Sequence, residues 1–370
     1  MQIKKYLFHF KYFDWLLFFS AVVLICFGLA AIYSVAKSFD EPNYFNLQKQ
    51  IIIGMAGIGL AVVISFFDFH FLRSYVYIFL GVAVVLLVSV LFFGRTIQGT
   101  TGWLQLFSLT FQPVELAKIS LIIFLAKFFS EKFRQIPDYK FLLYSGSVSF
   151  VFFILTILQP DFGSALLLFL IWFLLIVIAG IKRSYIVLII LILAAIFLFS
   201  WFFLLKDYQK DRISVFFNPN NDPYYRGYHV RQAIIAVGSG GVLGRGLGLG
   251  SQSQLKFLPA SQTDFIFAVL AEELGFLGAG LLVGFFLLFF YRLAQIAKRA
   301  PDNFSLFLVL GIMVLLFSQF FINVGMNIGL LPVTGIGLPY VSYGGSFLIS
   351  CLIMVGIVES VAVRSIKYRT

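Results

Sequence analysis

Apolar residues in this chain come in long, nearly unbroken runs, not in the alternation of a half-buried strand or the narrow stripe of a surface helix. Ten runs stand out: 13–35, 49–67, 74–93, 114–130, 141–158, 164–180, 186–205, 265–291, 304–331 and 343–363. A bilayer core of roughly 30 Å takes about 20 apolar residues per helix. The pattern therefore predicts an all-α polytopic membrane protein with about ten transmembrane helices. Run 164–180 is short, as expected of a tilted or partly re-entrant span. The first run follows Lys4, Lys5 and Lys11 as a signal peptide would. It is too long for one, lacks a small-residue cleavage site and precedes nine more runs, so it reads as the first span. Residues 1–12, basic and aromatic, read as an interfacial anchor. With no repeat of 20–50 residues and no inverted pair of broken helices, 1–370 reads as a single membrane domain.

Composition agrees with the pattern. Apolar residues are 61% of the chain and charged residues 12%, which excludes a soluble enzyme, a disordered chain and a disulfide-stapled secreted domain. The net charge of +11 would suggest nucleic acid in a soluble protein. Here the basic residues punctuate apolar runs, the pattern of topology signals and anionic-lipid contacts, so no nucleic-acid partner is expected. With the N-terminus inside, inner segments hold 15 of the 27 Lys and Arg residues, and the short outer segments hold only Lys37, Lys49 and Arg95. Both termini are thus expected to be cytoplasmic. Cys26 and Cys351 fall inside apolar runs, and His9, His70 and His229 show no ligand spacing, so no metal site is predicted.

Polar chemistry gathers on the outer side: in loop 94–113, in the turn Gln159-Pro160-Asp161-Phe162-Gly163, in the long extracellular loop 206–264 between spans seven and eight, and in loop 332–342. Glu115 and Lys118 lie three apart at the outer start of the fourth run, able to pair on one helix face. They read either as a structural ion pair or as a Lys118 facing an anionic group with Glu115 orienting it. Asp161 reads first as a helix cap. Glu272, Glu273 and Glu359 read as packing or lock residues. Asp264, at the outer mouth of the eighth run, is half desolvated, which raises its basicity and suits a general base; capping is the rival reading. Segment 206–264 carries seven basic residues, among them Arg212 and Arg231, which suits a phosphorylated lipid headgroup. Its run GSGGVLGRGLGLG either brings backbone N–H groups to an anion or permits tight packing; it is not a Walker loop.

The strings RISVFFNP, GYHVRQAIIAVGSGG, GRGLGLGSQSQLKFLP and TDFIFAVLAEELGFLG resemble the SEDS proteins of bacterial cell-wall synthesis. FQPVELAK, QPDFGS and GLLPVTGIGLPYVSYGGS are similar to that family's signatures and follow its order over nearly the whole chain. The short N-terminus and LLKDYQKDRISVFFNP most resemble the rod-shape branch, with the cell-division and sporulation branches close behind. The resemblance implies a peptidoglycan glycosyltransferase that polymerises lipid II outside the cytoplasmic membrane during elongation and partners a class B penicillin-binding protein. It places the family's proposed catalytic aspartate at Asp264. Substrate-binding roles fall on Lys118, Glu115, Trp103, Arg212, Arg231, Gln232 and Asp161.

Three positions depart from the family pattern: Gly102, Val114 and Gln262 stand where Arg, Ser and often His are usual. Arg95 is the candidate to replace the Arg missing at Gly102. In the implied reaction Asp264 deprotonates a sugar hydroxyl, while Lys118, Arg212 and Arg231 meet the departing pyrophosphate. A divalent cation, Mg or Mn, could share that task, though no ligand cluster demands one. A lipid II flippase and a non-catalytic scaffold for the penicillin-binding protein are the rival readings.

Overall fold

The computed structural model describes residues 9–38, 43–97, 100–106, 109–132, 139–203 and 226–367. Each of the ten expected runs is helical: α1 (Trp15–Lys37), α2 (Phe45–Phe66), α4 (Val76–Phe93), α5 (Pro113–Lys132), α6 (Tyr139–Ile157), α7 (Phe162–Ile178), α8 (Arg183–Phe203), α11 (Ile266–Lys298), α12 (Asn303–Asn327) and α13 (Gly345–Lys367). Three short helices join them: α3 (His70–Ser74), α9 (Arg226–Ser239) and α10 (Ser251–Gln254). Among the described residues seven helices are long and apolar enough to cross a membrane by length and composition. The short sixth run forms α7, 17 residues long. The chain is a helical integral membrane protein.

Helix ends gather on two opposite faces. On one, the Asp14 N–H donates to Glu359, Arg364 donates to the Ser65 and Phe66 carbonyls, and His70 bonds Asp302. Asp14 and Asp302 cap α1 and α12 there, each accepting a first-turn N–H, and Asp302 forms a reciprocal capping box with Ser305. The other face carries the turn after α6, the approach to α11 and the approach to α13, tied together by Asn46–Gln262 and Gln50–Ser342 bonds. Most of α12 and α13 is buried, whereas α2, α4 and α6 turn most of their apolar surface outward, as lipid-facing helices do. Close approach uses small residues: a Cβ at Gly356 on α13 would meet the Ala61 carbonyl oxygen of α2 at 2.7 Å.

Two regions expected as loops are built. Within 94–113, β1 (Arg95–Ile97), β2 (Thr100–Leu106) and β3 (Leu109–Phe111) form an antiparallel meander. Within 206–264, residues 226–264 fold on the body of the bundle. Helix α9 buries Val230, Ala233 and Ala236. Arg212 lies outside the described residues.

The glycine run explains how. Helix α11 is broken at Gly275, where φ is 68° and ψ −165°, a conformation that only glycine adopts without strain. The turn 240–246 enters the break and takes up its backbone groups. Phe276 N–H donates to the Gly241 carbonyl at 2.8 Å and Leu277 N–H to Val242 at 3.1 Å, while Arg245 and Gly246 N–H groups donate to Glu272 and Glu273 carbonyls at 3.1 and 2.9 Å. A side chain at Gly240, Gly244 or Gly275 would strike main-chain atoms across this junction. Of the two sequence readings of the run, tight packing is the one seen; the Arg245 and Gly246 N–H groups are spent on α11.

Candidate functional site

The N-terminal mouth of α11 is assembled from three segments. Residues 260–264 form a succession of turns, loop 328–344 crosses over them, and α12 ends beneath. Three successive carbonyls of the first segment are gripped by the other two. Gln262 O accepts from the Tyr343 N–H at 2.8 Å, Thr263 O from the Ser342 hydroxyl at 2.6 Å, and Asp264 O from the side-chain amides of Asn323 and Asn327, both at 3.0 Å. Both asparagines are fully buried, and Asn323 also donates to the Ile336 carbonyl at 2.8 Å. The backbone at Asp264 is therefore fixed from below and above by groups whose polar valences are satisfied within the bundle.

The Asp264 carboxylate does not cap its helix. Phe265 is the N-cap of α11 and its side chain accepts nothing. The first-turn N–H of Ala268 donates instead to Asn327 Oδ1 at 3.1 Å. An amide from the neighbouring helix thus supplies the acceptor that an N-cap side chain would normally supply. Asp264 is half-buried, with Gly335 of the crossing loop close to its Oδ2. Burial pushes its carboxyl up to about 6, against a smaller opposing effect of a hydrogen bond with the Thr263 side chain. A carboxylate so held loses and regains a proton near neutral pH.

Asp161 is placed otherwise. It is the N-cap of α7: Oδ1 accepts from the Ser164 N–H at 2.9 Å, and Oδ2 accepts from Gln112 Nε2 at 3.2 Å. Both oxygens are engaged, as the capping reading expects. This turn abuts the same crossing loop, since a side chain at Gly163 would strike the Thr334 carbonyl. Asp161 and Asp264 therefore flank loop 328–344 from two sides.

Glu115 and Lys118 sit deeper, on α5. The Lys118 ammonium is 2.7 Å from Glu115 Oε1, and Glu115 Oε2 accepts from the Ser350 hydroxyl of α13 at 3.1 Å. Lys118 is 1% exposed and lies over the Phe347 ring. The pair joins α5 to α13 inside the bundle, which is the arrangement of the ion-pair reading. In this structure the ammonium does not reach the surface.

Trp103 lies on β2, half-buried, directly opposite Arg95 of β1. Cross-strand partners share a face, and Gly102 points to the other. Gly102 faces Gln159 and Gln112 instead, where a Cβ would make ordinary contacts of 3.5 and 3.9 Å. Arg95 thus extends on the Trp103 face and does not stand in for a side chain at position 102, a correction to the expectation above. Gln262, the third departure, ties α2 to the site through its side chain, accepting from Asn46 Nδ2 at 2.8 Å. Arg231 is exposed and Gln232 half-buried on α9, beside the approach to α11.

Asn323, Asn327 and Ser342 were not singled out in the sequence. A signal was there: two amides at i and i+4 lie on one face of an otherwise apolar run, where polar side chains are costly and must be spent on something. Among the described residues no group of three His, Cys, Asp or Glu side chains could hold a metal ion.

The chain is 38% identical to the peptidoglycan glycosyltransferase MrdB of Escherichia coli (strain K12) over 317 residues, 84% of each chain. It is 36% identical to a probable peptidoglycan glycosyltransferase FtsW of Geobacter sp. (strain M18) over 366 residues, 95% of this chain and 97% of that one. Its fold is similar to a chain solved in a peptidoglycan synthase complex that coordinates polymerization and crosslinking, with a TM-score of 0.83, 30% identity, and coverage of 95% and 98% of the two chains. Residues 14–367 match the FtsW/RodA/SpoVE family of cell cycle proteins, and the chain belongs to that family.

Proposed function

We propose that this protein is a peptidoglycan glycosyltransferase that polymerises lipid II at the outer face of the bacterial cytoplasmic membrane, with Asp264 as its general base. The observation that carries the assignment of the base is that, among the described residues of the outer cluster, Asp264 is the carboxylate locked in place yet not spent on a cap or an ion pair. The 4-hydroxyl of one lipid-linked sugar attacks the anomeric carbon of another. A new C–O bond forms, the bond to undecaprenyl pyrophosphate breaks, and the hydroxyl proton passes to an Asp264 oxygen. Such proton transfer contributes roughly 10²–10⁴-fold. Charge stabilisation of the leaving pyrophosphate is the larger share.

Among the remaining candidates, Arg231 and Gln232 of α9 would meet the pyrophosphate in this reading; Arg212, given the same role from the sequence, lies outside the described residues. Trp103 offers a ring for a sugar face on the outer meander. Asp161 caps α7, whose first turn abuts loop 328–344 at Gly163. Lys118 and Glu115 hold α5 against α13 beneath the site. No step is routed through a metal. The polyprenyl tail lies among the apolar helices, and a class B penicillin-binding protein cross-links the product strands.

The test is glycan formation from purified lipid II by the full chain with its cognate class B partner, the partner's transpeptidase blocked. Polymer is the expected product. A well-folded pair that makes none, while still moving lipid II across a bilayer or still activating the transpeptidase, would replace the polymerase with a flippase or a scaffold.

A further inference from the structure

On the face opposite Asp264 lies a cleft of about 210 Å³ between the N-terminal segment, the end of α11 and the end of α13. Its walls include Lys11, Asp14, Arg292, Ile296, Arg299 and Ser365. Three of these are cationic and one is anionic, and the anion is already neutralised. Asp14 accepts from Arg292 Nε at 3.1 Å and Nη2 at 2.5 Å, and Arg292 Nη1 goes to Gln295. Asp14 also caps α1. Among the described residues Lys11 and Arg299 have no carboxylate within ion-pair distance. The cleft therefore presents two cations without a carboxylate partner, Lys11 with its ammonium over the Tyr12 ring, on a wall made rigid by a satisfied ion pair.

The depth of the cleft says what kind of anion reaches it. Trp15, one residue after the Asp14 wall, is 54% exposed and donates its indole N–H to the Phe10 carbonyl at 3.0 Å. Phe10 and Phe19 are exposed beside it. Aromatic side chains with one polar end mark the headgroup level of a bilayer. The cleft thus opens at the height of lipid phosphates, and its volume admits a headgroup but not a drug-sized ligand.

We infer that this cleft is a binding site for the phosphate of an anionic phospholipid in the leaflet that faces it, gripped by Lys11 and Arg299. Lipid held there tethers the N-terminal segment to the ends of α11 and α13. A ligand that binds only the folded protein raises its melting temperature. Purified full-length protein in neutral detergent is titrated with phosphatidylglycerol, phosphatidylcholine or inorganic phosphate while Tm is read. Phosphatidylglycerol should raise Tm saturably and phosphatidylcholine should not. The double variant Lys11→Ala/Arg299→Ala, with its lipid-free Tm unchanged, should need roughly tenfold more phosphatidylglycerol. Lys298→Ala, an exposed basic neighbour outside the cleft, should bind as the wild type does. An equal loss in Lys298→Ala would mean diffuse surface charge and overturn the site. Saturation by inorganic phosphate alone would keep the cleft as an anion site and overturn the lipid as its ligand.

Discussion

Asp161 and Asp264 stand at the same face of the molecule, each just before an apolar helix, on either side of loop 328–344. Asp161 spends one oxygen on the first turn of α7 and the other on Gln112. Asp264 spends neither on α11, because Asn327 of α12 caps that helix from outside. The same residue type in the same local position is a structural fixture in one case and, in the proposed mechanism, the base in the other. What separates them is a single amide on a neighbouring helix. Relieved of that duty and half-buried, Asp264 keeps its proton to higher pH than an ordinary carboxylate.

Breaking the fixtures should be costly in proportion to what they satisfy. Lys118→Met leaves the Glu115 carboxylate buried without its cation, and breaking such a pair costs about 3–5 kcal/mol. A sharp fall in Tm is expected, and Glu115→Gln added to Lys118→Met should restore most of it. Failure of the double variant to recover, with its fold intact but its activity gone, would move Lys118 from lock to substrate contact.

Asn327→Ala sharpens the comparison itself. It removes the acceptor of the Ala268 N–H and one donor to the Asp264 carbonyl, for a loss of about 1–3 kcal/mol. It also frees Asp264 to turn and cap α11 in its place. The acid limb of the rate should then move to lower pH than in the wild type, a change that mere loosening of the fold would not produce. In the wild type the base must be ionised. kcat/KM should therefore fall about tenfold per pH unit below about 6 and be level above it. The effect on stability has the opposite sense. A carboxyl whose folded pKa is raised favours the folded state at low pH, and that contribution is lost as pH rises from the ordinary carboxylate range through about 6. At the small end, Asp161→Ala should cost about 1 kcal/mol of stability and Asp161→Asn less, since Asn also caps.

Much of this was legible in the residues. Long apolar runs give the positions of the ten helices, because a hydrocarbon solvent leaves the backbone few alternatives, but not all their ends: the run 265–291 lies in a helix that continues to Lys298. The i, i+3 spacing of Glu115 and Lys118 gives their pair, and Asp161 beside Pro160 and Gly163 gives its cap. The break in α11 was not legible. Gly275 lies in a continuous apolar run, and its need for φ > 0 comes from a turn some 30 residues earlier that docks into it. The meander at 95–111 was missed because its strands are short and lie among residues read only as loop. Asp264 could be suspected but not separated from a cap, because the residue that decides, Asn327, lies 63 positions away.

The most direct test sets the two aspartates side by side. Lipid II polymerisation would be measured for wild type, Asp264→Asn and Asp161→Asn, each with the cognate class B partner and each confirmed as folded by its Tm. Loss of a hundredfold or more in Asp264→Asn, with Asp161→Asn close to wild type, is the predicted result. Full-rate polymerisation by Asp264→Asn, or an equal collapse of both variants, would contradict the claim that the unspent carboxylate is the base.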